Sequence, residues 1–317
     1  MPVLFFGGSL CRLSDFLGGE HMIQYRSTAR TIFNICNYAF LMLVGFTCLL
    51  PFIHILAVSF SSSAAVAAGK VNFWPVEFTL FSYEFALKGG KFFRALGISI
   101  IRVIVGAGLN LVMMVITAYP LSKTKAQVAG RNIYMAYFIV TMLINGGLIP
   151  TYLVIVKAGL KNSLLALILP GALPVYNMII LMNFMRSLPE EIEEAARIDG
   201  ATPIQILIKI LLPVLKPALA TVGLFCIVGH WNDWFGGMIY MNDPQKYPLQ
   251  TYLQTLLQNF EQMMQKSGTD YTKLLSMMNA STGRAAQLFL GAIPIMCVYP
   301  FLQKYFTKGL VIGSVKG

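Results

Sequence analysis

Charged residues are scarce in this chain. Asp, Glu, Lys and Arg make up 12% of its 317 residues, whereas hydrophobic residues make up 56%. A soluble domain carries about a quarter charged residues, so this composition excludes the ordinary soluble classes. A chain this long and this apolar is expected to cross a membrane several times.

Cysteine and histidine are also scarce, with five and three residues in the whole chain. No pair of cysteines has the C-x-x-C spacing, and no cysteine lies in a cluster with histidine. The sequence therefore gives no support to a zinc site or a disulfide framework. We interpret the cysteines as small apolar side chains and expect no metal site.

Motifs for covalent chemistry are missing as well. The sequence contains no G-x-x-x-x-G-K-[ST] loop, no G-x-S-x-G or H-E-x-x-H motif, and no paired Asp residues in its apolar segments. This chain is therefore not expected to bind ATP itself, and an intramembrane enzyme is a minor alternative. A proton-coupled carrier would need a buried carboxylate relay, which the centres of the apolar segments also lack.

Six apolar spans can be drawn through the sequence. A helix needs about 20 residues to cross the hydrocarbon layer, and open strands would leave backbone groups unpaired in lipid. We therefore predict an all-α integral membrane protein with six transmembrane helices in residues 35–306, between an N-terminal segment, 1–34, and a C-terminal tail, 307–317. The predicted spans are Ile35–Val58, Gly97–Leu121, Ile133–Ile149, Leu164–Phe184, Pro217–Trp234 and Ala285–Tyr305.

Lysine and arginine predict the orientation of these spans. With both termini in the cytoplasm, most basic residues of the short loops fall on the cytoplasmic side. The segment 187–213 is then a cytoplasmic loop, and the long segment 232–284 lies outside. The net charge of +11 is explained by contact with lipid headgroups. No basic patch or motif of a nucleic-acid-binding module is present, so we expect no nucleic-acid partner.

Two further features concern the second span and the start of the chain. Arg102 lies inside the second span, and we interpret it as an arginine that snorkels to the outer interface, with a functional role as the alternative. Residues 1–21 contain no continuous signal-peptide core, and Met22 is an alternative start of the natural protein.

The cytoplasmic loop is predicted to form two short helices joined by a glycine turn. Ser187 and Glu190 have the spacing of a capping box, which predicts the start of the first helix. Gly200 suits a left-handed C-terminal cap. Thr202 then repeats the start signal for a second helix, which is expected to end at Pro213.

One face of the first helix is flat and flanked by acidic residues. That face is formed by helical spacing from Ile192, Ala195, Ala196 and Asp199, and Glu191 and Glu194 lie beside it. Helices that lie on a membrane surface normally carry Lys and Arg on their polar face, so a glutamate-rich helix suits an anionic leaflet poorly. We therefore predict that this face docks on a protein partner, with Glu191 and Glu194 against basic groups.

The loop resembles the EAA signature of ABC importer permeases, which reads E-A-A, three residues, G, nine residues, I-x-L-P. The signature positions are occupied by Glu194, Ala195, Ala196, Gly200, Ile210, Leu212 and Pro213. The resemblance implies that the first helix is a coupling helix, which docks in a groove of a separate ATPase subunit. Closure of the ATPase dimer on ATP would then swing the spans from an inward-facing to an outward-facing state.

Further segments resemble the carbohydrate-uptake class of these permeases, in the position of the maltose-type second permease. They are Ala118–Ser122, Gly146–Tyr152, Gly159–Ser163, Trp231–Trp234 and Gln303–Leu310. The resemblance implies a multi-pass location in the bacterial cytoplasmic (inner) membrane. It also implies three kinds of partner: a second homologous permease, two ATPase subunits that bind ATP and Mg, and an extracytoplasmic sugar-binding protein. No cofactor is expected in this chain itself.

Candidate substrate-path residues follow from the chemistry of sugar recognition, which pairs aromatic faces with side-chain amides and carboxylates. An aromatic belt at the membrane interface is the alternative for the tryptophans, and helix packing is the alternative for Tyr176 and Asn177. The tail of such permeases can reach the ATPase, which points to Lys308, Gly309 and Lys316. The substrate-path candidates are Trp231, Asn232, Asp233, Trp234, Tyr152, Tyr176 and Asn177.

The predicted function is transport. The chain is expected to be a permease subunit that imports a carbohydrate, an oligosaccharide or a polysaccharide fragment, driven by ATP hydrolysis on a separate subunit. The segment Gly146–Tyr152 resembles the subgroup associated with complex polysaccharide fragments. An ABC permease for another solute, such as a peptide, is the alternative, because the coupling loop carries no information about the cargo.

Overall fold

The computed structural model describes residues 28–87, 90–266 and 281–297. These ranges contain helices and turns and no strand. The chain divides into two compact units at the boundary between Ile53 and His54, and each unit is described by itself. The predicted all-α architecture is confirmed for the described ranges.

Helix α1, Thr28–Ser59, supplies the described part of the first unit up to Ile53. Its most apolar stretch has a mean hydropathy of 2.3, and it is long enough to cross a membrane alone. Apolar side chains such as Phe33, Met42 and Leu43 stay exposed on its surface. Such a helix is suited to lipid, because exposed apolar side chains are unfavourable in water.

The second unit contains the remaining helices. In chain order they are α2 Ser63–Ala67, α3 Phe81–Leu87, α4 Lys91–Ser122, α5 Arg131–Leu143, α6 Leu148–Lys157, α7 Leu165–Ile168 with the 3₁₀ turn Leu169–Gly171, α8 Val175–Arg186, α9 Glu191–Ile198, α10 Pro203–Gln205 with the π-helical segment Ile206–Leu211, α11 Leu212–Val214, α12 Lys216–Asn232, α13 Phe235–Tyr240, the 3₁₀ turn Pro244–Lys246, and α14 Leu249–Lys266. A further helix, α15, covers residues 281–297.

Helix α4 is the scaffold of this unit. Its 32 residues extend for about 48 Å at 1.5 Å per residue. It packs against α8 and α12 around a core that includes Met114, Ala118, Met178 and Val222. Close packing of helices needs small residues at the contact, and α4 supplies buried Gly106, Ala107 and Ala118.

Three pairs of successive helices are bent where they meet, and two of these bends fall within predicted spans, the third and the fourth. Helices α5 and α6 meet at 111°, the α7 segment meets α8 at 50°, and the α10–α11 segment meets α12 at 82°. Two described helices, α1 and α4, can cross a membrane alone, and up to five spans result if each bent pair is one span. The predicted sixth span is described only as far as residue 297.

The predicted third span, Ile133–Ile149, is wrong as a continuous helix. Helix α5 ends at Leu143, Ile144 is extended, and Gly147 has a φ of +87°. Two adjacent glycines at 146 and 147 make this break favourable, because glycine adopts positive φ without a steric penalty. The chain therefore turns sharply where the sequence pattern suggested a single span.

Candidate functional site

The first helix of the predicted cytoplasmic loop is α9, Glu191–Ile198. The predicted capping box at Ser187 is wrong. The Ser187 hydroxyl donates to the Phe184 carbonyl at 2.8 Å, and Ser187 is the C-terminal cap of α8. Helix α8 runs to Arg186, two residues beyond the predicted span. Ser187 therefore caps the end of α8 and is not available to cap the start of α9.

The glycine turn after α9 has the predicted geometry. Gly200 has a φ of +80°, and its N–H donates to the Arg197 carbonyl at 3.0 Å. The next N–H, of Ala201, donates to the Ala196 carbonyl at 2.9 Å. These two bonds form a Schellman motif, which satisfies the last carbonyls of the helix and reverses the chain.

The second start signal is also confirmed. The Gln205 amide oxygen accepts from the Thr202 N–H at 2.9 Å, and the Gln205 N–H donates to the Thr202 hydroxyl oxygen at 3.4 Å, which completes a capping box. The helix that follows runs through the π-helical segment and ends at Val214, one residue past the predicted end at Pro213. The loop is therefore two helices joined by a glycine turn.

The two alanines of the EAA signature face opposite ways. Ala195 is exposed, whereas Ala196 is buried in the core formed by α4, α8 and α12. The prediction that Ala196 lies on the docking face is wrong, because Ala196 is only 7% exposed and belongs to this core. The exposed face of α9 instead carries Glu191, Glu194, Ala195, Asp199 and Gly200.

One apolar element of this surface was not predicted from the sequence. Ile198 at the end of α9 is 86% exposed, and Ile204 and Ile208 on the second helix are exposed as well. Exposed large apolar residues beside an acidic helix indicate a contact surface for a protein. The sequence pattern alone did not show which apolar residues of the loop stay exposed, so these isoleucines stand out only in the structure.

Helix α9 is tied to the end of α4 by an ion pair, Lys123–Glu193, which we call the surface-helix pair. The Lys123 ammonium contacts both carboxylate oxygens of Glu193, and the two side chains are only 11% and 17% exposed. Lys123 Nζ also lies 4.3 Å from the centre of the Tyr119 ring. Arg197 approaches the same carboxylate at 3.6 Å from one turn further along α9. Glu193 therefore points into the chain, unlike Glu191 and Glu194.

The last turn of α4 is also held from two other helices. The Leu121 carbonyl accepts from Arg186 at 2.9 Å and from Arg131 at 2.8 Å. Arg186 ends α8 and Arg131 begins α5. A cavity of about 380 Å³ lies between these arginines, Lys123 and the acidic side of α9. The end of α4 is thus the meeting point of α5, α8 and α9.

A second cavity, of about 330 Å³, lies beside the N-terminal half of α4. We call it the polar cavity. Two of the predicted substrate-path residues, Asn177 and Asp233, line it. Arg102, for which a functional role was the alternative interpretation, lines it as well. Three further polar lining residues were not predicted, because residue type alone does not show which polar residues of the spans and loops face a cavity. Those residues are Asn110, His230 and Tyr240.

Arg102 does not snorkel to an interface, so that interpretation is wrong. Its guanidinium is buried and forms an ion pair with Asp233, which we call the cavity pair. Arg102 Nη1 also donates to the Asp233 carbonyl at 2.8 Å, and the Asp233 carboxylate accepts from the Gly236 N–H at 3.0 Å. A buried charge needs a partner, and residue 233 supplies it from the end of α12.

His230 and Asn110 form a second polar contact in this cavity. Asn110 Nδ2 donates to the carbonyls of Gly171 and Ala172 at 2.6 and 2.9 Å, so its Oδ1 is the acceptor. His230 Nε2 lies 2.8 Å from that oxygen and therefore carries the proton. The histidine fits because Gly106 has no side chain, since a Cβ there would lie 2.6 Å from His230 Nε2.

The two tryptophans of the Trp231–Trp234 segment differ. Trp231 is buried, and its indole N–H donates to the Gly291 carbonyl at 2.9 Å. The prediction that Trp231 lines a substrate path is wrong, because it joins the core between α12, α14 and α15. Asn232 and Trp234 are exposed, and the Trp234 ring contacts Phe235 edge-on at 5.7 Å.

Tyrosines extend the polar cavity on one side. The Tyr152 ring stacks on the ring of Tyr240 at 6.3 Å, and its hydroxyl accepts from Lys161 at 2.7 Å. Burial, and then the Asp233 carboxylate, raise the pKa of Tyr240, so the phenol keeps its proton and can donate a hydrogen bond. Tyr176 is exposed on α8 and does not line the cavity.

Some predicted positions lie outside the described residues. They are Lys308, Gly309 and Lys316 of the tail and most of the N-terminal segment. Within the described ranges, no group of three or more His, Cys, Asp or Glu residues could hold a metal ion.

The chain is similar to known proteins over almost its whole length. Residues 16–312 match the family model "Binding-protein-dependent transport system inner membrane component". The chain is 40% identical to Protein LplC of Bacillus subtilis over 297 residues, which cover 93% of this chain and 98% of LplC. It is 36% identical to the polygalacturonan/rhamnogalacturonan transport system permease protein YtcP of Bacillus subtilis, over 90% of this chain and 99% of YtcP.

A solved structure is similar as well. It is a chain from a bacterial ABC transporter involved in the import of the acidic polysaccharide alginate, with a TM-score of 0.73 and 32% sequence identity. The similarity covers 89% of this chain and 99% of that chain. Fold and sequence therefore agree over the same length.

Proposed function

The chain belongs to the family of binding-protein-dependent transport system inner membrane components, and from that premise we propose that it carries an oligosaccharide or polysaccharide fragment across the cytoplasmic membrane. The support for the substrate class is the similarity to YtcP, named for polygalacturonan and rhamnogalacturonan, and to the alginate importer. The support for the mechanism is the exposed face of α9, which presents carboxylates and an isoleucine to a partner.

The energy for transport comes from a separate ATPase in this proposal. Two ATPase subunits bind ATP and Mg, one of them holds the exposed face of α9, and this chain needs no cofactor of its own. Glu191 and Glu194 meet basic groups of the ATPase, while Ile198 fills an apolar pocket on it. The tail residues Lys308, Gly309 and Lys316 are assigned to the same interface from the family resemblance alone.

The polar cavity is the proposed place where the sugar passes this chain. Its volume of about 330 Å³ lies within the range of small-ligand sites, roughly 300 to 1,000 Å³. Asn177, His230, Asp233 and Tyr240 offer hydrogen-bond donors and acceptors for hydroxyl groups. Phe225 and the stacked pair of Tyr240 with Tyr152 offer ring faces on which a pyranose can stack.

The topology and the remaining partners complete the proposal. The chain crosses the membrane six times with both termini in the cytoplasm, which places α9 on the cytoplasmic side. A second, homologous permease covers part of the apolar surface of α5, on which no residue is buried by this chain. An extracytoplasmic sugar-binding protein delivers the substrate to the side that carries the segment 232–284.

An uptake assay tests the proposed substrate class. A strain that lacks this gene is compared with the strain complemented by the wild-type chain, using labelled oligosaccharides from acidic plant and algal polysaccharides and, in parallel, labelled oligopeptides. We expect loss of uptake for at least one oligosaccharide and normal uptake of peptides. Normal uptake of every oligosaccharide together with failed peptide uptake would establish the alternative cargo and overturn the proposal.

A further inference from the structure

We propose that the surface-helix pair, Lys123–Glu193, transmits the movement of α9 to α4, so that both are positioning residues for transport. Neither residue contacts the ATPase in this account. The inference rests on the proposed function, because it assumes that a partner moves α9. It assigns Glu193 a role different from that of the exposed Glu191 and Glu194 on the same helix.

The backbone does not connect α9 directly to α4. Helix α9 is joined by the short connection 187–190 to α8 and by the glycine turn to α10. Neither connection leads directly to α4, although α4 packs against both α8 and α12 and lines the polar cavity. In the described ranges, the hydrogen-bonded contact that joins α9 to α4 is Glu193 with Lys123.

The surface-helix pair lies in a shielded environment. Both side chains are largely shielded from water, and both carboxylate oxygens contact the ammonium. Removal of Glu193 would leave the Lys123 ammonium without a carboxylate in a shielded place, which is much less favourable than loss of an exposed ion pair. Removal of Lys123 would leave the Glu193 carboxylate with the longer contact to Arg197. The Tyr119 ring beneath the ammonium adds a cation–π contact and keeps Lys123 in place. This link is therefore stiff enough to transmit a displacement.

Lys123 lies at the end of a long rigid helix. Lys123 is the residue that caps α4, and Arg102 of the cavity pair lies about 30 Å away along the same helix. Arg131 and Arg186 hold the neighbouring Leu121 carbonyl, so a pull on Lys123 acts on an end that is already tied to α5 and α8. Movement of α9 consequently reaches the polar cavity through α4.

A charge-exchange experiment tests the link. The full chain, assembled with its ATPase, its second permease and the binding protein in proteoliposomes, is compared with K123E, E193K and the double variant K123E/E193K. The readout is the amount of sugar transported per ATP hydrolysed, together with the amount of ATPase that co-purifies. We expect each single variant to lower this ratio about tenfold with normal co-purification, and the double variant to restore most of the ratio.

The matched control is Lys125→Glu, the same charge reversal two residues away on an exposed side chain. It should leave the ratio near the wild-type value. The isosteric E193Q variant covers the case in which a charge reversal prevents folding, and we expect it to lower the ratio with normal expression. A wild-type ratio in K123E and E193Q, or no recovery in the double variant, would overturn the inference. Absence of sugar transport by the wild-type complex would instead contradict the proposed function.

Discussion

Helix α4 carries one ion pair in its N-terminal half and another at its C-terminal end, and the two pairs differ in how they are exposed. In the cavity pair, the Arg102 side chain is 2% exposed but that of Asp233 is 38% exposed and borders the polar cavity. In the surface-helix pair both side chains are largely covered. The first pair therefore has one partner that can face a substrate, whereas the second pair mainly links two helices.

The two ion pairs therefore have different roles on one helix. The cavity pair joins α4 to the end of α12 beside polar groups that suit a sugar. The surface-helix pair joins α4 to the helix whose outer face suits the ATPase. In the proposed mechanism, helix α4 between them connects the ATPase docking helix with the substrate path.

The largest expected effect is on stability, and it differs according to which partner of the cavity pair is removed. Asp233→Leu should destabilise the chain by about 3 to 5 kcal/mol, because it leaves the buried Arg102 guanidinium uncompensated. Arg102→Leu should cost less, since the Asp233 carboxylate that remains reaches water in the cavity. Thermal unfolding of the purified variants in detergent measures both. Equal losses in the two variants, or a double R102L/D233L variant no more stable than D233L, would contradict the proposed asymmetry.

The second expected effect concerns the glycine turn. Gly200→Val places a β-branched residue at a φ of +80°, which costs about 1 to 3 kcal/mol at such a position. The Schellman motif should open, and transport per ATP should fall strongly while membrane insertion stays normal. Gly108→Val is the matched control, because Gly108 is helical and has open space around it. Full transport by the Gly200 variant would argue against α9 as the coupling element.

The same turn shows what the sequence could and could not predict. Gly200 and Thr202 act on neighbours within five residues, so their geometry could be deduced from residue types alone. The capping box at Ser187 failed because its outcome depends on where α8 ends. A local motif is reliable only where no adjacent element competes for the same residue.

Partners that are distant in sequence could not be deduced. Arg102 and Asp233 are separated by 131 positions, and Lys123 and Glu193 by 70. Asp233 was a candidate for sugar contact, but its partner was not identified, because pairing across spans depends on which helices become neighbours. Glu193 was missed because residue type alone does not show which of the three glutamates of α9 turns inward.

The third expected effect tests the polar cavity without touching either ion pair. Gly106→Ala introduces a Cβ that would overlap His230 Nε2, and such overpacking typically costs about 1 to 3 kcal/mol. The His230–Asn110 hydrogen bond should be lost, and the maximal transport rate should fall while transport per ATP stays unchanged. Gly108→Ala, with open space at its position, serves as the comparison. An unchanged transport rate in G106A would show that the cavity is not part of the substrate path.

The smallest expected effect concerns the exposed isoleucine. Ile198→Ser removes an apolar side chain that is 86% exposed, so the stability of the isolated chain should stay within about 0.5 kcal/mol of wild type. Binding of the ATPase should weaken by about tenfold, the order expected when an apolar anchor is removed from an interface. Titration of the purified chain with the ATPase subunit measures this. Undiminished affinity would exclude Ile198 from the interface.

The most direct test of the central claim compares two adjacent residues of α9. Ala195→Cys and Ala196→Cys are introduced separately into a chain whose five natural cysteines have been replaced, and maleimide labelling is followed with and without the ATPase. The exposed face of α9 predicts that Cys at 195 reacts in the free chain and is protected on assembly, while Cys at 196 reacts in neither state. Labelling at 195 that is the same with and without the ATPase would contradict the assignment of α9 as the ATPase docking helix.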